Sequence, residues 1–210
     1  MEILIFIIIL LFSVIFHEVA HGIMAERLGD PTARFAGRLT LNPIPHIDLF
    51  GSILLPGFLL FIGSPIIFGS AKPVPVDYRN FRNVRRDMIL VSLAGVATNF
   101  VLALLAAVVY RLTPNLSDMG EYLLLQTIIL NLVLCFFNLV PIPPLEGSKV
   151  LASILGYINH NWMHSFLELE RYGFFILILF LYTGLVQLLI FPPVKYFLEF
   201  FVGSGVRLGF

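Results

Sequence analysis

Long apolar runs, at residues 3–29, 53–68, 88–112, 122–140 and 174–191, constrain this chain more than any other feature. A helix that crosses a bilayer needs about 20 mostly apolar residues and must satisfy its backbone internally. Four of the five runs meet that requirement; the run at 53–68 is broken by Pro56, Gly57, Gly63, Ser64 and Pro65 and is expected to be re-entrant. Composition agrees, with 59% apolar and 12% charged residues against about 25% charged in soluble domains. Lys and Arg number 13, as do Asp and Glu, and that balance argues against nucleic acid or an acidic partner. The single cysteine, Cys135, lies in an apolar run and excludes a disulfide framework or a multi-cysteine metal site.

The expected fold is all-α: a polytopic membrane helix bundle of four to five hydrophobic segments, with short extended segments near the active site. Residues 1–210 are expected to form one integral membrane domain, with its core at 3–155 and an additional helix and amphipathic tail at 156–210. Met1-Glu2 offers no basic n-region and no small-residue cleavage site follows, so the first run is expected to stay as a helix. Arg27, Arg34, Arg38, Lys72, Arg79, Arg82, Arg85 and Arg86 lie between Glu26 and Asp87, whereas residues 113–121 carry no Lys or Arg. By the positive-inside rule the basic flanks are cytoplasmic. The expected localisation is therefore the cell membrane, multi-pass, with the lipid bilayer as a partner and no oligomeric state specified.

Three Pro-x-Pro units interrupt the helical pattern: Pro43-Ile44-Pro45, Pro73-Val74-Pro75 and Pro141-Ile142-Pro143. Prolines two apart remove the amide donors of one edge of an extended segment and leave the other edge able to pair. Residues 71–76 are accordingly expected to clamp an extended substrate through Lys72, Val74 and Val76.

His17-Glu18-Val19-Ala20-His21 sets two imidazoles at i and i+4 on one helix face, about 5–6 Å apart at their β-carbons. That spacing suits two ligands of one tetrahedral ion. Glu18 is turned about 100° from His17, where it holds a water and leaves ligation to others. Such residues are costly as mere packing, because a charged side chain at a membrane helix centre costs about 2.5–3.5 kcal/mol on insertion scales.

A catalytic zinc usually takes three protein ligands. Glu146, Asp48, His46, His160 and His164 are the candidates for the third. Glu146 leads, because Pro141, Pro143 and Pro144 unwind the chain just before it and let a carboxylate turn inward. His46 and Asp48 read instead as loop braces, and His160 and His164, beside Trp162, as part of an interfacial amphipathic helix. Arg79, Arg82, Arg85 and Arg86 read as topology determinants on anionic lipid.

Residues about 10–155 resemble the site-2 proteases, intramembrane zinc metalloproteases, in their short form without appended domains. The motifs are His17-Glu18-Val19-Ala20-His21, Leu41-Asn42-Pro43-Ile44-Pro45-His46-Ile47-Asp48, Gly95-Val96-Ala97-Thr98-Asn99 and the segment from Asn138 to Gly147. The resemblance implies one Zn2+ per chain, with Glu146 where the family has its Asp ligand, and a transmembrane protein as substrate. It also implies that Asn138 and Asn99 bind the substrate peptide or the oxyanion. Glu146 adds a methylene to the ligand arm, and Val96 stands where the family commonly has Pro.

The expected activity is peptide hydrolysis inside the membrane, with Glu18 as general base. Two alternatives are a catalytically silent relative and a metal transporter or metal-binding scaffold. The transporter requires ligands lining a path between the faces, whereas these candidates cluster at one depth.

Overall fold

The computed structural model describes residues 2–54, 57, 58, 61 and 71–203, and they contain helices and turns but no strand. The helices are α1 (Glu2–Arg27), α2 (Thr32–Phe35), α3 (Val84–Leu112), α4 (Asp118–Leu139), α5 (Glu146–Ile158), α6 (His160–Glu168), α7 (Gly173–Tyr182), α8 (Leu185–Leu189) and α9 (Phe191–Val202). Among the described residues four stretches are long and apolar enough to cross a membrane: Ile3–Arg27, Val84–Leu112, Asp118–Leu139 and Leu185–Val202. The chain is thus a multi-pass membrane protein. Large apolar side chains such as Ile3, Ile7, Val108 and Leu112 face outward, as a bilayer-facing surface requires.

Local chemistry fixes the helix ends. Asn83 accepts the Arg86 amide at 3.2 Å, and Asp87 accepts the Asn83 amide at 3.0 Å, so the start of α3 is closed reciprocally. Ser117 caps α4 by accepting the Gly120 amide at 3.2 Å. At its far end α4 stops before Pro141, which cannot continue it.

α1, α3 and α4 pack as an antiparallel trio. Ala103, Ala106 and Ala107 on α3 let Ile128 and Leu132 of α4 approach closely, and Val194, Leu198 and Phe201 of α9 extend the same core. Within this apolar setting one polar chain ties the three helices. Asn99 donates to Asn131 Oδ1 at 2.9 Å and to the Ser13 carbonyl at 3.4 Å, and Asn131 donates to Ser13 Oγ at 2.9 Å. That register brings the second half of α1 against the first half of α3.

Two expectations need revision. The run at 174–191 is not one helix: Gly184 adopts φ +74°, a conformation that suits glycine, and splits the run into α7 and α8. The fourth apolar stretch is Leu185–Val202, which takes in residues expected to be tail. The re-entrant reading of 53–68 falls mostly outside the described residues.

Candidate active site

The imidazoles of His17 and His21 are 7% and 6% exposed on α1, and their Nε2 atoms are 2.9 Å apart. Each ring is locked from behind. His17 Nδ1 lies 2.6 Å from Asn99 Oδ1, and His21 Nδ1 lies 2.7 Å from the Val91 carbonyl. Because the Asn99 nitrogen is already donating to Asn131 and Ser13, its oxygen must accept from His17. Both Nδ1 atoms therefore carry the proton, and in the neutral rings both Nε2 lone pairs point at each other. Two facing lone pairs repel unless they share a cation. Their separation is close to the edge of about 3.3 Å that a tetrahedral zinc with 2.0–2.1 Å Zn–N bonds would set. The imidazole pair therefore fits a zinc ion.

α3 supplies the facing wall. Gly95 sits where a β-carbon would lie 2.6 Å from His21 Nε2 and 2.7 Å from His17 Nε2, so this position must stay glycine for the rings to meet an ion. One turn earlier Val91 holds His21, one turn later Asn99 holds His17, and Ser92 hydrogen-bonds Glu146.

Glu146, the first residue of α5, brings Oε1 to 3.8 Å from His21 Nε2. The same oxygen receives Lys149 Nζ at 2.9 Å. Burial opposes the ionisation of Glu146, but the Lys149 ammonium, seconded by His21 and Ser92, outweighs it and holds the carboxyl below the usual range. Gly147 allows this arrangement: a β-carbon there would collide with the carbonyls of Leu139 and Val140 at the end of α4. Glu146 thus faces the imidazole pair but is shared with Lys149, and among the described residues no three metal-donor side chains already share a cation site.

The other expected residues are placed as follows. Glu18 lies beside the pair, and its Oε2 accepts the Val74 amide at 2.7 Å. Asn99 is fully buried, with both amide atoms engaged by His17, Asn131 and Ser13. Asn138 donates back to the Leu134 carbonyl at 2.9 Å in its own helix. His46 is 1% exposed and donates to the Thr40 carbonyl at 2.9 Å, while Asp48 accepts the Gly51 amide at 2.6 Å; both brace the loop. His160 and His164 form a second facing pair, 3.0 Å apart at Nε2, on the exposed surface of α6.

The expected clamp at 71–76 is also revised. Two of its three competent donors are already used inside the protein: the Lys72 amide reaches the His46 carbonyl at 2.9 Å, and the Val74 amide reaches Glu18. Ser92, Lys149 and the Val91 carbonyl were not anticipated. Of these only Lys149 carried a readable signal, as a cation three residues after an acidic helix start.

Comparison with known proteins gives relatives that include the following three. The chain is 36% identical over 194 residues to "Putative zinc metalloprotease YwhC" of Bacillus subtilis, covering 89% of this chain and 84% of the relative. It is 30% identical over 200 residues to "Putative zinc metalloprotease Rip2" of Mycolicibacterium smegmatis, covering 93% and 72%. A Rip2 of Mycobacterium tuberculosis is 33% identical over 145 residues, 67% of this chain and 53% of the relative. No family model matches the chain, and no solved structure does.

Proposed function

The chain belongs to the site-2 protease family of zinc metalloproteases, and on that premise we propose that it hydrolyses peptide bonds in or near transmembrane segments of membrane proteins, using one zinc held by His17, His21 and Glu146. The observation that carries the reading is the pair of back-locked imidazoles whose Nε2 lone pairs meet 2.9 Å apart opposite Gly95. Nitrogen and carboxylate donors are a recognised catalytic zinc set. Zinc bound there supplies Lewis-acid polarisation of the scissile carbonyl and lowers the pKa of water toward about 7.

The chain's own groups do the rest. Glu18 keeps one carboxylate oxygen on the Val74 amide, and the other takes the proton of the attacking water and returns it to the leaving amide nitrogen. Asn99 and the Val91 carbonyl keep both rings in the tautomer that presents Nε2. Glu146, whose Oε1 stands 3.8 Å from His21 Nε2, would complete the set. The substrate segment unwinds before attack, because a helix hides its amides in its own hydrogen bonds. The bundle end that carries Arg27 and Arg79 is the cytoplasmic one, so cleavage takes place toward that face of the cell membrane.

Purified chain and its Glu18→Gln variant, tested on a single-pass membrane peptide, decide the matter. Glu18→Gln should lower turnover by about 10²–10⁴-fold and leave zinc content unchanged. Equal turnover would remove Glu18 from the chemistry. A native chain that is silent until Glu146→Asp restores cleavage would favour the silent-relative reading, which the Glu146–Lys149 contact motivates.

A further inference from the structure

Glu18 is held by backbone. Pro73 and Pro75 have no N–H, so Val74 is the one backbone donor between Lys72 and Val76, and it is spent on Glu18 Oε2 at 2.7 Å. We infer that residues 71–77 form a strap that aims the Glu18 carboxylate, and that Arg38, His46 and Asp30 are positioning residues that hold the strap from its two ends. This rests on the reading of Glu18 as general base.

Three independent features lock the strap. Its side chain is seated first: Val74 is 7% exposed, and a β-carbon on Gly22 would lie 3.0 Å from Val74 Cγ1 and 3.0 Å from Ala33 Cβ. Gly22 is four residues after Glu18 and therefore on the same face of α1. One residue of the strap thus grips two successive turns of the catalytic helix, with its isopropyl group on Gly22 and its amide on Glu18.

The leading end is fastened next. The Lys72 amide donates to the His46 carbonyl at 2.9 Å, and Arg38 Nη2 donates to the Lys72 carbonyl at 2.5 Å. Arg38 and His46 are 6% and 1% exposed, and His46 is itself pinned to the Thr40 carbonyl. The trailing end is fastened by Asp30, which accepts the Asp77 amide at 2.8 Å. With both ends and the middle fixed, one oxygen of Glu18 is immobilised and the other is left in a single orientation. A base misplaced by about 1 Å costs on the order of 10²-fold in rate.

The test uses full chain in which α-hydroxyisovaleric acid stands at position 74, which replaces the Pro73–Val74 amide by an ester and so removes the N–H donor while keeping the isopropyl side chain. With the single-pass membrane peptide as substrate, kcat should fall by about 10²-fold while KM and zinc content stay native. Arg38→Met and His46→Phe should lower kcat in the same sense, and His46→Gln, which keeps a donor for Thr40, should recover it. Amide hydrogen exchange gives a readout independent of activity. In Glu18→Ala the Val74 amide should exchange at least about tenfold faster, while the Lys72 amide, bonded to His46, stays protected.

Unchanged protection of Val74 in Glu18→Ala would overturn the proposal. So would native kcat in the ester chain, or a rise in KM at constant kcat, which would make the strap a substrate contact. If Arg38→Met or His46→Phe fails to fold, the ester chain and the exchange measurement still decide. A native chain that cleaves nothing would sink the proteolytic reading alone, because the exchange measurement needs no turnover.

Discussion

At Gly95 the addition of one methyl group disturbs the imidazole pair whether or not metal is bound. Alanine inside a helix is ordinarily favoured over glycine by about 0.5–1 kcal/mol, but the new β-carbon would lie 2.6–2.7 Å from both Nε2 atoms. Both rings are held at Nδ1 and cannot swing aside without breaking the Asn99 or Val91 contact. Gly95→Ala should therefore melt below the native chain even without metal, by about 1–3 kcal/mol for the buried contact given up, and bind zinc at least about tenfold more weakly, the order of loss that disturbed support of metal ligands produces. Metal content after dialysis and thermal unfolding of the apo chain measure the two effects separately; native zinc retention would contradict the proposed ion position. The imidazole pair was legible from the sequence because helical periodicity alone puts i and i+4 together. The role of Asn99 was not, since it depends on which turn of α1 faces which turn of α3. The Val91 carbonyl and the Val74 amide are backbone groups, and no residue type announces them.

The loops around the site are organised as an element by Asp30, which is fully buried and accepts from the Thr32 amide and hydroxyl, the Asp77 amide at 2.8 Å and Asn80 Nδ2 at 2.8 Å. Burial opposes its ionisation, but the donors from Thr32, Asn80 and Asp77 together outweigh it and hold the carboxyl below the ordinary range. A carboxyl depressed in the folded state contributes stability that is fully present above its unfolded pKa of about 3.9 and fades as pH falls through the lower folded value. Asp30→Asn should cost about 1–3 kcal/mol at pH 7, and the gap between variant and native chain should narrow as pH falls below about 3.9. Denaturant unfolding at pH 7 and pH 3 checks the sign; a gap that widened in acid would be incompatible with this role. Sequence pattern gave the long helices well, because apolar length is what a bilayer selects. It joined α7 to α8 because hydropathy does not register a backbone angle, and Gly184 is as apolar as its neighbours while turning the chain.

Across the whole molecule, the antiparallel trio of α1, α3 and α4 has two chemically different ends. His21, Glu146 and the strap lie toward the end where α1 finishes and α3 begins, together with Arg27, Arg34, Arg38, Lys72, Arg79, Arg82, Arg85 and Arg86. At the opposite end the short connection at 113–117 carries no Lys or Arg, and Arg111 is tied to the carbonyls of Phe201 and Phe200 at 2.6 Å. Since cytoplasmic flanks accumulate Lys and Arg, the basic end should face the cytoplasm, and with it the mouth of the proposed site. Cys135, buried in the core, can be replaced by alanine to give a background without thiols. Into that background Arg79→Cys and Asn115→Cys each place one exposed thiol, at opposite ends. An impermeant maleimide added to intact cells should label Asn115→Cys and spare Arg79→Cys, and inverted vesicles should give the reverse. The opposite pattern would turn the bundle over and require that water and substrate reach the imidazole pair from the outer face.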